Sequence, residues 1–452
     1  MKRVLAVLTA LIIMSTAAIS MTGCSINKGG EPGGNTAVNT GEPANVDPAA
    51  TGQPNPTAKP WDPEKDPFVA RSFDVDRFSF DAEMMRFVEL TQPGNYMISP
   101  LSFKYALGML IAGARGETRQ ELLTALGLES EEALDAHIKN FNAFAEGFNA
   151  KIKKDKEHYD SLPERERRYY DEPTGALRVA DSVWKRDDIK PFRDEFKRKL
   201  ELYDAELRDF RLDNVVREVN AWANEKTEGL IPQLLPDNYD VGDLAVVLMN
   251  ALYFKDSWQE PFNEIGTQPF HAADGRSVDK EFIESRITCR YYKDADTELA
   301  EIPMGNNVNF LVVLGSTDGL EAKLANAEFR RAKVILPKFE IETSLISREL
   351  CSFLQALGVT RAFNDLADFS GMVEDHKMFV DDIIQKAKIK LDETGIEAAA
   401  VTAIMVKDGA VFDPNEPVVF RADHPFHFFI RTGESAWANE SGVVMFAGRL
   451  AE

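Results

Sequence analysis

The sequence predicts an α+β fold in which helices pack on a large β-sheet, and three observations indicate it. Helical periodicity dominates the first half of the chain, whereas strand-like apolar runs dominate the second half. No second linker rich in Pro, Gly and Ser interrupts the region from about Phe68 to Glu452. That region is long for one domain, but apolar and aromatic residues continue throughout it, which favours a single large domain.

The individual elements follow from the spacing of the apolar residues. Helical spacing occurs in six segments: 82–91, 102–114, 118–127, 131–148, 215–227 and 345–358. Strand-like runs occur at 244–254, 308–315, 331–342, 377–391, 424–432 and 442–450. The run of mixed charge at 151–173 contains both signs, which predicts a solvated helix extension or a surface insertion.

The N-terminus is typical of an exported protein. Lys2 and Arg3 precede an apolar run at 4–14 that is too short to cross a bilayer, so residues 1–23 are predicted to be a lipoprotein signal peptide. The string Met-Thr-Gly-Cys ending at Cys24 resembles a bacterial lipobox, in which this cysteine becomes the lipidated N-terminus. The alternative is an ordinary signal peptide that contains a cysteine. We expect an exported protein, anchored by lipid to the outer face of a bacterial membrane.

Residues 24–67 are rich in Gly, Pro, Asn, Thr and Ala, which predicts a flexible tether before the folded domain at 68–452. The formal net charge of -22 argues against nucleic acid and anionic lipid as partners, so the lipid anchor is the only membrane contact expected. Of the three cysteines, Cys289 and Cys351 are predicted to be buried thiols, although a disulfide between them is the alternative.

A search for catalytic and metal-binding motifs finds none. The six histidines are scattered, and no HExxH, CxxC, GxSxG or Gly-rich phosphate loop occurs. The acidic pairs at 365/368 and 381/382 lie beside apolar runs with no convergent partner. We therefore predict that the chain is not an enzyme, with no catalytic residue, no metal and no cofactor.

One segment near the C-terminus has conflicting local preferences. Residues 397–400 favour helix, whereas the β-branched Val401, Thr402, Ile404 and Val406 favour strand, and two prolines follow. The segment from Gly395 to Val406 is small, apolar and nearly uncharged. If exposed, such a segment is a strand without a sheet.

Several strings resemble the serpin family in order along the chain. NYMISPLSFKYALGMLIAGARGETRQELLTALG begins at Asn95 and VVLMNALYFKDSWQEPF at Val246; LPKFEIE, ADFSGM, DETGIEAAAVTA and FRADHPFHFFI follow. The resemblance covers the region from about Phe68 to Leu450. It implies a serpin fold, with a large mixed β-sheet A, two further sheets, about eight to nine helices and an exposed reactive-centre loop at about 393–417.

The resemblance also implies a function. A target protease cleaves the loop, which then inserts into sheet A as a new strand and traps the protease as an acyl-enzyme. The expected partner is a serine protease, with a cysteine protease as the alternative, and the chain is expected to be a monomer. The rival interpretation is a non-inhibitory serpin, a surface binding or structural protein whose loop is only a substrate.

The loop residues fit insertion when considered separately, because side chains in a strand alternate between faces. One face would carry small and then β-branched residues without formal charge: Ile396, Ala398, Ala400, Thr402, Ile404 and Val406. The other would carry Glu397, Ala399, Val401, Ala403, Met405 and Lys407. About fourteen residues at ~3.3 Å each span ~46 Å, which is enough to cross such a domain.

Further residues take family roles by position. The hinge comprises Glu393, Gly395, Ile396, Glu397, Ala398, Ala399, Ala400, Val401 and Thr402, with Glu393 expected to pair with Lys338. The breach, where the sheet first opens, is marked by Lys338 and Trp258. The shutter, where strands part, is marked by Ser99, Ser102, Asn250 and Gln385. Without the resemblance, each of these would be interpreted as an ordinary packed or hydrogen-bonded residue.

Two positions depart from the family pattern. Ile396 replaces the usual Thr or Ser after the hinge glycine, so we expect slower or altered insertion. Gln385 replaces the usual shutter histidine, so we expect a muted pH dependence of shutter opening.

The family spacing from Glu393 places the reactive bond at Gly409–Ala410, although cleavage anywhere from Met405 to Phe412 stays open. Within that range Lys407 suits a trypsin-like enzyme, Phe412 a chymotrypsin-like one, and Val406 or Ala410 an elastase-like one. The remaining candidates are Asp408 and Val411.

Overall fold

In a computed structural model of the chain, the structure describes residues 61–170, 172–242, 244–345, 349–375, 377–380, 383–396 and 417–452. Within these ranges the helices are α1 (Phe78–Thr91), α2 (Pro100–Gly113), α3 (Gly116–Ala125), α4 (Glu132–Ser161), α5 (Glu164–Arg167), α6 (Asp194–Leu200), α7 (Val215–Lys226), α8 (Leu320–Ala325) and α9 (Glu349–Ala356). None of the helices in the described ranges has both the length and the hydropathy to cross a membrane.

Fifteen strands lie in the described ranges. They are β1 (Tyr96–Ile98), β2 (Ala176–Arg186), β3 (Glu206–Phe210), β4 (Val246–Ser257), β5 (Asn263–His271), β6 (Ser277–Lys293), β7 (Thr297–Pro303), β8 (Val308–Gly315), β9 (Glu328–Pro337), β10 (Phe339–Leu345), β11 (Gln385–Leu391), β12 (Gly395–Ile396), β13 (Val418–Arg421), β14 (Phe426–Thr432) and β15 (Val444–Leu450).

A six-stranded mixed sheet has the order β10-β11-β12-β4-β2-β3. Strands β4 and β2 pair antiparallel over ten residues, and β3 runs parallel to β2. Among the described residues, strands β11 and β4 are joined only through the two-residue strand β12. This arrangement leaves most of the length of β4 without a hydrogen-bonded neighbour on that side among the described residues.

The remaining strands form a nine-stranded sheet in the order β1-β15-β14-β8-β7-β6-β9-β13, with β5 on β6. Its long strand β6 pairs with β5 through its first half and with β7 through its last residues, while β9 pairs with the middle. The two further sheets that the sequence predicted are therefore continuous through β6. The predicted mixed fold is confirmed.

Two hydrophobic clusters lie on opposite faces of the six-stranded sheet. The main core includes Leu252 and Phe254 of β4 and extends to the aromatic cluster of α1, α2 and α9, where the rings of Phe87 and Phe353 lie 5.4 Å apart. A smaller cluster packs α7 on the other face, with Trp222 against Met249 of β4. Alternate residues of β4 thus face the main core and α7.

Several predicted elements are confirmed, but some boundaries were wrong. The mixed-charge run continues α4 as far as Ser161, as predicted. The strand predicted at 377–391 begins only at Gln385, and Leu345, predicted as the start of a helix, ends β10. Strand β2 was missed because charged and polar residues interrupt its apolar residues without a regular alternation.

Two further predictions can be compared with the structure: the extent of the N-terminal tether and the state of the cysteines. The ring of Trp61, inside the predicted tether, lies 5.4 Å from that of Phe87, so packing extends into this segment. Cys289 and Cys351 are buried and are not joined by a disulfide, as predicted.

Candidate functional site

The candidate site is the base of the loop segment, where the chain enters the six-stranded sheet between β11 and β4. Ile396 lies opposite Leu391 on one side and Asp256 on the other, and Gly395 lies opposite Ser257. The short strand β12 is antiparallel to both neighbours. The segment that follows, residues 397–416, lies outside the described residues, and so does every candidate for the reactive bond.

A tight turn leads into β12. The side chain of Asp392 accepts hydrogen bonds from the backbone and hydroxyl groups of Thr394, at 2.9 and 2.6 Å, in an Asx-type turn. Gly395 has φ of +154°, and a Cβ atom there would lie 2.3 Å from the backbone oxygen of Asp256. Only glycine allows β12 to approach β4 this closely.

Ile396 is already buried, with 3% of its surface exposed, on the face of the sheet that meets the main core. The sequence analysis placed this side chain on the uncharged face of the inserting strand. Its apolar bulk is thus accommodated at the base of the loop in the described structure, since it packs with the core instead of facing water.

Charged groups surround the turn. The Nζ atom of Lys338 lies 2.8 Å from a carboxylate oxygen of Glu393 and also contacts Glu264 and, at 3.6 Å, Glu281. Partial burial lowers the pKa of Lys338, but hydrogen bonds to Glu264 and Glu393 outweigh it, so the pKa lies above its usual value. Burial raises the pKa of Glu393, and the Lys338 ammonium reverses this and lowers it. The ion pair expected between Glu393 and Lys338 is present.

Trp258 holds the other side of the turn. Its indole Nε1 donates to the backbone oxygen of Asp392 at 2.9 Å, and its backbone N–H donates to Thr394 at 3.0 Å. The ring packs against Phe262 and Phe310, with centroids 5.0 and 5.6 Å away. The position expected to mark the breach is therefore bonded directly to the base of the loop.

Asp256 was missed by the sequence analysis. It is completely buried, and its carboxylate accepts hydrogen bonds from the side chain of Asn306 at 2.7 Å and from the backbone N–H groups of Asn306 and Ser257. Burial raises the pKa of Asp256 to about 7, although these hydrogen bonds oppose the shift. A signal was available, because Asp256 is in phase with the core-facing Leu252 and Phe254.

Three shutter residues meet around the start of α2. Ser99 caps this helix by accepting from the backbone of Ser102 at 3.1 Å, and its hydroxyl donates to the carbonyl of Met445 at 2.7 Å. Gln385 accepts from the backbone N–H of Ser99 and donates to its carbonyl, both at 2.8 Å. The side-chain amide of Gln385 thus joins β11 to the start of α2, with its oxygen as the acceptor and its nitrogen as the donor.

The fourth shutter residue does not share this hydrogen-bond network. The side chain of Asn250 donates to Asp181 of β2 at 2.8 Å, and no described group bonds its side-chain oxygen. Burial raises the pKa of Asp181 well above the usual range of a carboxyl group. Asp181 was also missed, because the strand that carries it was not predicted.

A cavity of about 590 Å³ lies at the end of β4 that is distant from the loop base. Its walls include Val246, Leu248, Met372, Phe379 and Ile383. It therefore lies beside the part of β4 that lacks a described neighbour. No group of three or more His, Cys, Asp or Glu residues in the described ranges is arranged to hold a metal ion.

Known proteins share this architecture. The family model described as serpin (serine protease inhibitor) matches residues 75–452. The chain belongs to the serpin family. Members of this family are generally protease inhibitors rather than catalytic enzymes.

Relatives of this serpin extend over most of its length. The leukocyte elastase inhibitor of Equus caballus is 31% identical over 82% of this chain and 97% of its own. The structure of a highly specific serpin from the insect Tenebrio molitor is 26% identical, with a TM-score of 0.61 over 84% of this chain and 96% of its own. The fold is also that of thyroxine-binding globulin in complex with thyroxine, at 20% identity and a TM-score of 0.62 over 84% and 98%.

Proposed function

We propose that this serpin inhibits a serine protease, or alternatively a cysteine protease, by insertion of its cleaved loop between β4 and β11. The observation that carries the proposal is β12, which occupies the first two positions of the gap and is antiparallel to both neighbouring strands. An inserting strand would therefore continue the hydrogen-bonded ladder that β12 starts, in the register that β12 already sets.

The register supports insertion over the whole length of β4. Continuing the pairs Gly395–Ser257 and Ile396–Asp256 residue by residue would place residue 406 opposite Val246, the first residue of β4. Residues 395–406 thus match the twelve residues of that strand. The cavity at the far end lies where residues 404–406 would arrive. This favours cleavage after Val406, in agreement with the bond proposed at Gly409–Ala410.

The register also supports the predicted alternation of faces. Ile396 faces the main core, so Ala398, Ala400, Thr402, Ile404 and Val406 would do so after insertion. Thr402 would lie between Asn250 and Gln385. Its hydroxyl could then donate to the side-chain oxygen of Asn250 that lacks a described partner.

A matched pair of variants tests the mechanism. In Ala400→Glu a carboxylate would have to enter the core, which costs several kcal/mol, whereas in Ala399→Glu it would lie on the other face. Full-length protein and both variants are mixed with trypsin-, chymotrypsin-, elastase- and subtilisin-like proteases. We expect a covalent complex on a denaturing gel for the parent and Ala399→Glu, and loop cleavage without a complex for Ala400→Glu.

The released C-terminal peptide would identify the reactive bond. Cleavage of the parent by every protease, without a complex and without a gain in thermal stability, would refute inhibition and favour the non-inhibitory alternative, for which the bulk of Ile396 is the supporting observation. Equal behaviour of the two variants would refute the register.

We also propose that the protein acts at the outer face of a bacterial membrane as a lipid-anchored monomer. The lipobox-like string ending at Cys24 supports this. A radiolabelled fatty acid should label the parent protein in an expressing bacterium and not Cys24→Ser. Equal labelling of both would contradict the anchor.

A further inference from the structure

A buried acid faces an amide across strands β2 and β4. Asp181 and Asn250 lie directly opposite each other in the antiparallel pairing of these strands, and the side-chain nitrogen of Asn250 donates to one oxygen of Asp181 at 2.8 Å. Directly opposed side chains share a face of a sheet, and Asn250 is in phase with Leu252 and Phe254 of the main core. The pair therefore lies on the core face of the sheet, beside the gap between β4 and β11.

Each side chain of this pair has one oxygen without a described partner. The second oxygen of Asp181 and the side-chain oxygen of Asn250 are both buried, and no described group donates a hydrogen bond to either of them. If Asp181 is ionised, both atoms are acceptors only. A proton on the second oxygen of Asp181 would make it a donor to the oxygen of Asn250, and one hydrogen bond would then satisfy both atoms.

The surroundings of Asp181 favour the protonated form. Only 2% of the residue is exposed, and it forms no ion pair with a cationic side chain in the described ranges. The titratable groups around it are Tyr105 of α2, Tyr203 and Asp204 of the segment after α6, and Asp135 of α4, which accepts from Tyr203 at 3.0 Å. None of these groups supplies a positive charge. Burial raises the pKa of Asp181, and the hydrogen bond from Asn250 opposes this shift only in part.

The same amide lies where the inserting strand would pass. In the register that β12 sets, Thr402 would lie opposite Asn250, on the side of β4 away from Asp181. The side-chain oxygen of an asparagine has two lone pairs, so it can accept from Asp181 and from the hydroxyl of Thr402 at the same time. Two hydrogen bonds to one carboxyl group would also prevent the amide plane of Asn250 from turning.

Building on the proposed function, we propose that Asp181 is protonated in the native protein at neutral pH and donates to the side-chain oxygen of Asn250. This acid–amide pair holds the amide in the orientation that receives Thr402. Asp181 is then a positioning residue, because it acts on the inserting loop only through Asn250. The alternative is an ionised Asp181 with a water molecule that donates to both oxygens.

The first measurement is the infrared spectrum of the full-length protein at pH ~7, where exposed carboxyl groups are ionised. The spectrum of Asp181→Asn is subtracted from that of the parent, which cancels other protonated groups such as Asp256. We expect the difference to show the C=O stretching band of one protonated carboxyl group per chain. Asp204→Asn changes an exposed aspartate next to the same site and is the matched control, which should show no such band.

The second measurement tests the positioning role in protein whose loop has been cleaved. Thr402→Val should lower the thermal unfolding midpoint of the cleaved protein. This decrease should persist in the Asp181→Asn background, because an amide N–H can also donate to Asn250. In Asp181→Ala no donor remains, so the decrease should fall to about half or less. If Asp181→Ala fails to fold, Asn250→Ala provides the same comparison, since it removes the acceptor of Thr402.

The outcomes separate this proposal from the proposed inhibition. No acid band in the difference spectrum would refute the proposal and favour an ionised Asp181 bridged by water, whether or not the protein inhibits a protease. A band together with an equal effect of Thr402→Val in the parent, Asp181→Asn and Asp181→Ala would refute the positioning role. A band in protein that gains no thermal stability on loop cleavage would support the acid–amide pair but refute insertion, and with it the proposed function.

Discussion

The carboxyl group of Asp256 should make the stability of the native protein depend on pH. Burial raises its pKa from 3.8 to about 7. At ~1.36 kcal/mol per pK unit, this shift corresponds to ~4 kcal/mol. The folded state binds the proton more tightly than the unfolded state, so this contribution is complete below pH ~3.8. This stabilising contribution is lost as the pH rises to the folded-state pKa of about 7. Above that pH, the folded state carries the whole free-energy cost of a buried, ionised carboxylate.

Asp256→Asn removes the ionisation but keeps the shape. In the variant, the side-chain amide N–H would face the backbone N–H of Asn306, which in the parent donates to the carboxylate at 3.1 Å. The unsatisfied N–H groups lower the stability of the folded state by ~1–3 kcal/mol at every pH. Relative to the parent, the variant should therefore be less stable by ~1–3 kcal/mol at pH 4. It should be more stable by a similar amount at pH 8.

The assay is denaturant unfolding of the full chain followed by tryptophan fluorescence, from pH 4 to 8. The midpoint of the first transition and its slope give the free energy of unfolding, and subtraction of parent from variant cancels the other titrating groups. A difference that stays constant within ~1 kcal/mol across this range would refute the reasoning, since it would mean that Asp256 ionises in the native protein as easily as in water.

Three further predictions concern the gap and its neighbours. Gly395→Ala should destabilise the native protein by ~1–3 kcal/mol, because φ of +154° and the backbone of β4 leave no room for a methyl group; an unchanged unfolding midpoint would contradict this. Thr402→Val should leave the intact protein unaffected but lower the stability of the loop-cleaved form by ~1–2 kcal/mol, measured by thermal unfolding of both forms. Gln385→His should introduce a pH dependence of the unfolding rate between pH 5 and 8, because histidine titrates there; equal changes at every pH would count against it.

The sequence predicted those parts of the site that depend on local pattern. The pairing of Glu393 with Lys338, the glycine at the base of the loop and the role of Trp258 were expected from the family resemblance of the strings that contain them, and all three contact the turn. The assignment of the residues after Gly395 to two alternating faces follows from the period of a strand, and it needs no tertiary information.

Other parts of the site could not be predicted because they depend on which strands are neighbours. Asn250 was expected at the shutter, but its hydrogen bond runs to Asp181, sixty-nine positions away in the chain. The cavity was not anticipated, since the strand predicted from residue 377 begins only at Gln385.

The sequence by itself thus determined the family, the position of the loop and the face that each loop residue would present, because these depend on order and periodicity along one segment. Only the tertiary structure decided that Asp256 is buried beside Ile396, and that Asp181 lies opposite Asn250. These features arise from the register of strands far apart in sequence. A shift of one residue in that register would turn every side chain of the strand to the opposite face.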